Sequence, residues 1–574
     1  MTNAMTAVFE VDPTFLDVYV AILRWTVPVL VILLLFRCIK PLLTFRREPE
    51  IWAWLCLAGG KKLPITHWEN VIGRSKRSDV VLDVGTVSHS HAVLTRYDDG
   101  SWSIADAESK DGVYVNGKRT RIRAITPNDV ISIGGVEMKL QPISQRQEQR
   151  LAELRTKASS LTTSLINVIL LTVLQLFFAL SFLLVGGAET AQSVLLGFGG
   201  IMICQWLLLL FYVCIRRTSF ELETIAFFLT SLGMCVICAV VPDEAMKQLI
   251  SMILGLVTFL AIGWFLRDLE RAKQIRNVAA VAGVLLLVIT LLFGRTVNGA
   301  KNWLFIGSMS IQPAEMSKVC FVFVGASAMH RIMTKRNLMT FIAYSVLVCG
   351  CLALMNDFGG ALIFFCAFLV IAFLRSGSVG TLALALTALG IAGIMVLRIA
   401  PHAVQRFTSW RHIWEDPSGT GWQQTRALMC MAAGGWLGLG PGAGMMKIYP
   451  AAASDMVVAT MSEEWGLLML VMAIFCIIAL AVFSVRSASI GRSSFYTIGG
   501  CSAAAILLFQ TILNALGTVD VVPLTGVTFP FLSNGGSGMI CAWGLLAFIK
   551  AADTRQNASF AVRLVSQGGD VSYE

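Results

Sequence analysis

Long apolar runs follow one another along most of this chain, and they constrain its fold more than any other feature. The chain has 574 residues, of which 56% are hydrophobic and only 14% are charged, and its mean hydropathy is +0.72. A soluble domain of this size does not have such a composition, whereas a polytopic all-α membrane protein does. We predict membrane spans near residues 17–37, 161–185, 193–215, 220–242, 246–266, 278–294, 316–334, 339–356, 359–376, 380–400, 456–485, 494–518 and 535–552.

The charges between these runs predict how the chain crosses the membrane. Lys and Arg accumulate in cytoplasmic loops, and the basic loops of this chain alternate regularly with the others. They lie at 215–219, 267–277, 330–337, 375–378 and 485–493. Loops 295–315, 401–455 and 519–534 are therefore expected on the outer face. The first run has acidic residues before it and basic residues after it, which favours a retained anchor (1–40) over a cleaved signal peptide.

A stretch between the first two spans has a different character. Charges return at residues 50–145, and short alternating runs such as AVLTRY and VISIGG are separated by turn signals such as Asn116-Gly117. This pattern predicts a small all-β sandwich on the cytoplasmic side. We expect a connecting region at 146–219, with a polar helical linker and two extra spans, and a cytoplasmic tail at 553–574.

The outer loops carry the polar groups that point to function. Loop 401–455 is far longer than the length above which structureless loops become uncommon, and such loops are often functional. Glu315 and Lys318 are three residues apart, so they can pair on one helix face. An ionisable pair this close to hydrocarbon is costly and suggests a functional site. Pro523 and Pro530 break the last outer segment, which predicts a re-entrant piece lining a cavity.

Several motifs in these segments occur in one order along the chain. They are NGAKNW, IQPAEMSK, NDFGGALI, WEDPSGTGWQQ, GGWLGLGPG, YPAAASDMVVATMSEEWG and PLTGVTFPFLSNGGSG. Together they resemble the SEDS family (shape, elongation, division and sporulation), represented by FtsW, RodA and SpoVE, over roughly residues 220–552. The resemblance implies a peptidoglycan glycosyltransferase of the bacterial cytoplasmic membrane. Such enzymes polymerise lipid II on the outer face with a class B penicillin-binding protein transpeptidase, in division, elongation or sporulation.

The resemblance also implies site residues. The family's essential carboxylate ends the long outer loop in a Pro-x-x-x-x-Asp setting, which Pro450 and Asp455 match, although Ala453-Ser454 replace the usual His-Thr and Asn534 replaces a usual Tyr. We predict Asp455 as general base for a sugar hydroxyl; the alternative is an N-cap of the next helix. The predicted substrate-binding residues are Arg406, Lys447, Lys301, Glu315, Lys318 and Asp416. Arg406 and Lys447 are favoured for the pyrophosphate because they share a loop with Asp455.

No cofactor follows from the sequence. The cysteines are scattered without the spacing of metal ligands, and a divalent cation would be compatible with a pyrophosphate leaving group.

Residues 68–140 resemble an FHA (forkhead-associated) domain, a phosphothreonine-peptide reader. The motifs are Gly73-Arg74, Ser88-x-x-His91-Ala92, Gly112 and Val115-Asn116-Gly117. The predicted phosphopeptide-binding residues are Arg74, Ser88, His89 and Asn116, because a guanidinium and a hydroxyl both donate to phosphate oxygens. Asp111 stands where the family usually has Asn and would repel a phosphate. An unphosphorylated partner is therefore the alternative.

Two other functions remain open at this point. A protein with many spans could transport a lipid-linked precursor, although transporters often show inverted repeats and polar groups near the midplane, whereas these polar groups crowd one face. A non-enzymatic scaffold could recruit cell-wall enzymes through the FHA-like domain, and it would not need the outer-loop carboxylate.

Overall fold

The computed structural model describes most of the chain. The described residues are 13–44, 51–76, 78–97, 100–144, 146–147, 158–267, 269–297, 299–307, 309–330, 335–376, 379–488, 490–491, 493–556 and 558–559. Most of the predicted linker helix and of the predicted tail lies outside these residues.

The membrane part is a helical bundle. The helices are α1 Pro13–Leu43, α2 Leu161–Gly187, α3 Thr190–Cys214, α4 Glu221–Val240, α5 Ala245–Leu266, α6 Leu269–Phe293, α7 Pro313–His330, α8 Lys335–Leu354, α9 Phe358–Ser376, α10 Val379–Ile399, α11 Pro401–Ser409, α12 Trp422–Gly434, α13 Val457–Ala488, α14 Ser494–Thr518 and α15 Gly536–Ala551. Among the described residues, nine helices are long and apolar enough to cross a membrane, and three shorter apolar helices accompany them. The predicted all-α membrane fold is confirmed.

Two of the loops that the sequence predicts on the outer face are more regular than the sequence analysis expected. Loop 295–315 forms an antiparallel sheet of strands β12 Arg295–Val297, β13 Ala300–Ile306 and β14 Met309–Ile311. Gly299 and Gly307 have positive φ, as the tight turns between these strands require. Loop 401–455 contains helices α11 and α12, so its length does not mean a lack of structure. Its apolar residues also form a small core of their own, built from Ala427, Cys430, Met446, Ala452, Met456 and Ala459.

The β-domain is a two-sheet sandwich, as predicted. Its strands are β1 Ala53–Leu57, β2 Lys62–Ile65, β3 Glu69–Gly73, β4 Val80–Val81, β5 Ala92–Arg96, β6 Trp102–Asp106, β7 Val113–Val115, β8 Lys118–Thr120, β9 Ile122–Ile125, β10 Val130–Ile133 and β11 Val136–Pro142. One sheet has the order β2-β1-β11-β10-β7-β8 and the other β4-β3-β5-β6-β9. Alternate side chains of both sheets meet in one apolar core.

The β-domain contacts the bundle at the start of helix α14. The hydroxyl of Ser493 and the backbone N–H of Ser494 each donate to the Glu69 carboxylate at 3.2 Å. The imidazole of His67 lies 2.9 Å from the carbonyl of Gly491. A carboxylate at a helix N-terminus is favourable because it faces unpaired N–H groups and the positive end of the dipole. Glu69 begins strand β3, so this contact uses one end of the sandwich.

Buried charges stabilise the bundle core between the first turn of α4 and the end of α15. Lys550 on α15 lies 3.1 Å from Glu223 on α4, and both side chains are fully buried. Tyr212 of α3 donates to the same carboxylate at 2.7 Å. The Arg555 guanidinium pairs with Asp553 at 2.7 Å. Isolated charges would be very costly at such depth, so each is paired, and the network joins an extra helix to the bundle.

We expect Lys550→Met to destabilise the protein by roughly 3–5 kcal/mol, because Glu223 would lose its buried cation. Thermal unfolding of the purified protein in detergent measures this. The matched control is Lys247→Met, since Lys247 and Glu244 form an exposed pair at 3.4 Å and should lose less than about 1 kcal/mol. Equal losses in both variants would contradict the assignment of a buried pair.

Candidate active site

The loop that ends in Asp455 is held in place along its backbone. Four consecutive carbonyl groups, from Ala452 to Asp455, each accept a hydrogen bond. In that order the donors are Thr460 Oγ1 (2.7 Å), the backbone N–H of Asn534 (2.7 Å), Ser533 Oγ (2.7 Å) and Asn514 Nδ2 (2.9 Å). They come from helix α13, the irregular segment before α15, and helix α14. We refer to these four bonds as the carbonyl clamp.

The carboxylate of Asp455 itself is left available. It is partly exposed and accepts no hydrogen bond from the residues that the structure describes. A Cβ atom placed on Gly526 would lie 3.5 Å from its Oδ2 atom, so glycine gives the carboxylate an open neighbour. Helix α13 begins at Val457, and the Asp455 carboxylate accepts none of the backbone N–H groups of its first turn. The N-cap alternative therefore fails.

Arg406 is the charged group that acts on Asp455. Its Nη1 atom donates to the carbonyl of Thr525 at 3.2 Å, next to Gly526. Burial raises the pKa of Asp455 to about 6, and the charge of Arg406 acts in the opposite direction. A carboxyl with such a pKa is ionised at neutral pH and can still take up a proton near it, as a general base must.

Glu315 and Lys318 form the predicted pair on helix α7. Their atoms Oε1 and Nζ lie 2.5 Å apart, and both side chains are buried. A Cβ on Gly538 would lie 3.6 Å from Thr528 Oγ1 and 4.0 Å from Glu315 Oε2. The irregular segment 522–535 therefore approaches the Asp455 carboxylate at Gly526, and at Thr528 it approaches Gly538, which lies close to Glu315.

The other predicted substrate residues lie elsewhere. The ammonium of Lys447 donates to Gly442 at 2.7 Å and has no contact with Asp455 in the described part of the chain, so a shared loop did not bring the two together. Lys301 lies in β13, where its ammonium is 3.5 Å from the Leu292 carbonyl. The Asp416 carboxylate accepts from the N–H groups of Gly419 (3.0 Å) and Thr420 (2.8 Å), which stabilises a turn.

Sequence reasoning did not identify the residues of the clamp. Asn514 was the one with a readable signal, because it is an amide inside an apolar helix, and polar groups at membrane depth usually have a function. Ser533 and Thr460 carry no such signal. No three His, Cys, Asp or Glu side chains within the described residues are grouped as a metal site would need.

A second candidate site lies at the far end of the β-domain. The backbone N–H of Arg74 donates to the Ser88 carbonyl at 3.0 Å, and that of Lys110 donates to Ser88 Oγ at 3.1 Å. The loops that contain Arg74, Ser88 and Lys110 therefore meet at Ser88. Because the Ser88 hydroxyl oxygen accepts from Lys110, its proton can be donated to a bound ligand. The side chains of Arg74, His89 and Lys110 are exposed there. The arrangement can receive an anion, although the exposed Asp111 adjoins it.

His91 and Asn116, two further residues of the FHA-like motifs, stabilise loops inside the β-domain. The buried His91 accepts from the N–H of Ser88 at 3.0 Å, and its Nε2 donates to the carbonyl of Gly112 at 3.1 Å. Asn116 adopts positive φ in the β7–β8 turn. Its amide contacts Asp129 at 2.5 Å and Val130 at 2.9 Å. Both polar ends of Asn116 are engaged inside the domain, so we reassign it from peptide binding to the turn.

Comparison with known proteins matches the membrane part and the β-domain to two known families. The FtsW/RodA/SpoVE family model, described as cell cycle protein, matches residues 239–558, and the FHA domain model matches residues 70–134. Peptidoglycan glycosyltransferase RodA of Mycobacterium tuberculosis (strain ATCC 25618 / H37Rv) is 28% identical over 328 residues, which are 53% of this chain and 69% of that protein. Probable peptidoglycan glycosyltransferase FtsW of Aeromonas salmonicida is 32% identical over 300 residues, 50% of this chain and 76% of that protein. The crystal structure of Thermus thermophilus RodA is 22% identical, with a TM-score of 0.44, and the match covers 58% of this chain and 95% of that one.

We expect Asp455→Asn to stabilise the protein at pH 8, and to do so less as the pH falls to 5. An unfolded Asp ionises near 3.8 and the folded Asp455 near 6, so wild-type stability falls as the pH rises through this window. Thermal unfolding at several pH values measures the difference. Asp416→Asn is the control, because Asp416 accepts N–H groups and should show no such gain. A gain of Asp455→Asn that does not depend on pH would contradict the buried carboxyl.

Proposed function

Because this chain belongs to the FtsW/RodA/SpoVE family, we propose that it is a peptidoglycan glycosyltransferase that polymerises lipid II with Asp455 as general base. It is an integral protein of the bacterial inner membrane. The proposal rests on the geometry of Asp455, whose backbone carbonyl is held by Asn514 while its carboxylate accepts no hydrogen bond from the described residues. It also rests on the exposed guanidinium of Arg406, whose charge acts on that carboxylate.

In the proposed reaction a sugar hydroxyl of one lipid II attacks the anomeric carbon of the glycan donor, which bears the lipid pyrophosphate. Asp455 accepts the hydroxyl proton as the new C–O bond forms. The bond to the pyrophosphate breaks, and this group leaves as an anion that needs no protonation. The exposed Arg406 guanidinium, whose charge acts on Asp455, is the cation that we propose to stabilise the developing negative charge. The buried pair of Glu315 and Lys318 would shape the other side of the cavity.

The outer-face location is supported by helix α14. Its 25 residues extend about 37 Å at 1.5 Å per residue, more than the hydrocarbon thickness of about 30 Å. Glu69 of the β-domain contacts its first residue, and Asn514 near its last turn holds Asp455. This length supports a location of the two sites at opposite membrane faces. We propose that the basic loops and the FHA domain are cytoplasmic, which would turn Asp455 outward, where the family uses lipid II.

The FHA domain supports regulation or recruitment by a phosphothreonine protein. Glu69 begins strand β3 and Arg74 follows its last residue, so the end that contacts the membrane helices and the end with Arg74, Ser88 and Lys110 are opposite. This geometry supports the proposal that the loops with Arg74, Ser88 and Lys110 stay accessible to a cytoplasmic partner. The family also suggests a class B penicillin-binding protein transpeptidase as partner, and we include one in the assay below.

Asp455→Asn should lower the rate of polymerisation by about 100-fold or more, the usual contribution of a general base. Purified protein in nanodiscs with labelled lipid II and the transpeptidase measures glycan chains. Wild-type activity should fall below about pH 6, where Asp455 becomes protonated. Full activity of the variant would remove Asp455 from this role, and lipid II translocation without polymer would favour a transporter.

Arg406→Gln tests the same site independently. Since Arg406 lowers the pKa of Asp455, its loss should move the acid limb of the pH–rate profile upward, in addition to lowering the maximal rate. Arg411→Gln is the matched control, because the Arg411 guanidinium stacks on Trp410 in the same loop. If both variants move the limb alike, the effect is one of general loop charge and not of the specific charge of Arg406 on Asp455.

Arg74→Ala should weaken the binding of phosphothreonine peptides to the full chain at least about tenfold, because a hydrogen bond to a charged group contributes roughly 1.5–3 kcal/mol. Titration of the solubilised protein with a diverse peptide library measures this. Lys139→Ala, an exposed cation on the six-stranded sheet, should bind as the wild type does. Equal binding by Arg74→Ala, or no binding to any phosphopeptide, would favour the unphosphorylated partner.

A further inference from the structure

Asn514 joins the end of the loop that carries Asp455 to the segment around Val527. Its Nδ2 atom donates to the carbonyl of Asp455 at 2.9 Å and to the carbonyl of Val527 at 2.7 Å. Both protons of one NH₂ group are thereby used. Asp455 ends the long outer loop, whereas Val527 follows Gly526 in the segment that faces the carboxylate. One side chain on helix α14 therefore sets the distance between the base and the wall opposite it.

The environment of Asn514 is unusual for a residue that only stabilises the fold. Its side chain is 2% exposed, and its Oδ1 atom is buried without a hydrogen-bond partner in the described part of the chain. A buried polar atom without a partner costs stability. An apolar side chain of similar size would avoid that cost, but it could not donate to two backbone carbonyls. The cost is understandable if the geometry of Asp455 depends on the amide.

We propose that Asn514 is a positioning residue for the glycosyl transfer, which holds the backbone of Asp455 at a fixed distance from the Gly526–Val527 segment. This inference rests on the proposed function of Asp455. Asn514 reaches neither the carboxylate nor a substrate, so it acts only through Asp455. A general base displaced by about 1 Å can lose about 100-fold in rate, because proton transfer requires hydrogen-bond geometry.

The test compares Asn514→Leu and Asn514→Gln with wild type in the lipid II assay on the full chain with its transpeptidase. Leu removes both donors, and Gln keeps the amide but moves it by one methylene group. We expect the kcat of both variants to fall by about 10- to 100-fold, while the KM for lipid II changes less than about twofold, since no substrate contact is lost. The acid limb should move to lower pH, because a loosened Asp455 becomes more hydrated.

Thr511→Val is the matched control. Thr511 is buried on the same helix one turn earlier, and its hydroxyl bonds only to the Leu507 carbonyl of that helix. This variant should keep kcat and the acid limb at wild-type values. Thermal unfolding of all variants accompanies the assay, and Asn514→Gln keeps the question answerable if Asn514→Leu fails to fold.

The outcomes separate this inference from the proposed function. If Asp455→Asn is inactive while both Asn514 variants keep wild-type kcat and acid limb, the positioning role is wrong and the base assignment stands. If the Asn514 variants lose activity only in proportion to a loss of folded protein, with the limb unmoved, Asn514 is structural and the inference is overturned. If Asp455→Asn keeps full activity, the base assignment fails and the positioning role fails with it.

Discussion

The carbonyl clamp is the constraint on which the site depends. We propose Asp455 as a general base, and such a base needs placement to within a fraction of an ångström. Here the carbonyls of Ala452 to Asp455 are bound one after another by donors from three separate elements. All the binding is through the backbone. The backbone of Asp455 is thus held in place, while its carboxylate accepts no hydrogen bond from the described residues. In the proposed reaction the substrate hydroxyl would donate to that carboxylate.

Burial acts differently on Asp455 and on the pair of Glu315 and Lys318. The partly exposed carboxylate of Asp455 accepts no hydrogen bond from the described residues, and burial raises its pKa to about 6. Glu315 and Lys318 are buried as a pair at 2.5 Å, so each charge compensates the desolvation of the other. This contrast supports the proposal that Asp455 and not Glu315 takes part in the chemistry, although the sequence shows acidic residues of equal appearance at both positions.

The fold was largely predictable, because hydropathy and period-two alternation depend on local sequence alone. The spans, the sandwich and the pairing of Glu315 with Lys318 follow from spacing along one helix or strand. The position of Lys447 was not predictable in this way: it shares a loop with Asp455 but bonds to Gly442, since a loop that folds back on itself separates its own residues. The clamp joins residues 452–455 to residues 514 and 533–534, and no local pattern encodes such contacts.

Helix α14 explains why the β-domain and the site belong to one structure. An α-helix transmits position along its axis because each of its backbone hydrogen bonds would have to lengthen for the ends to move independently. The start of α14 is capped by Glu69 from the sandwich, and its last turns carry Asn514. The helix is also among the more deeply buried spans, so its neighbours restrict its tilt. The β-domain and the loop that ends in Asp455 are therefore both attached to one buried helix.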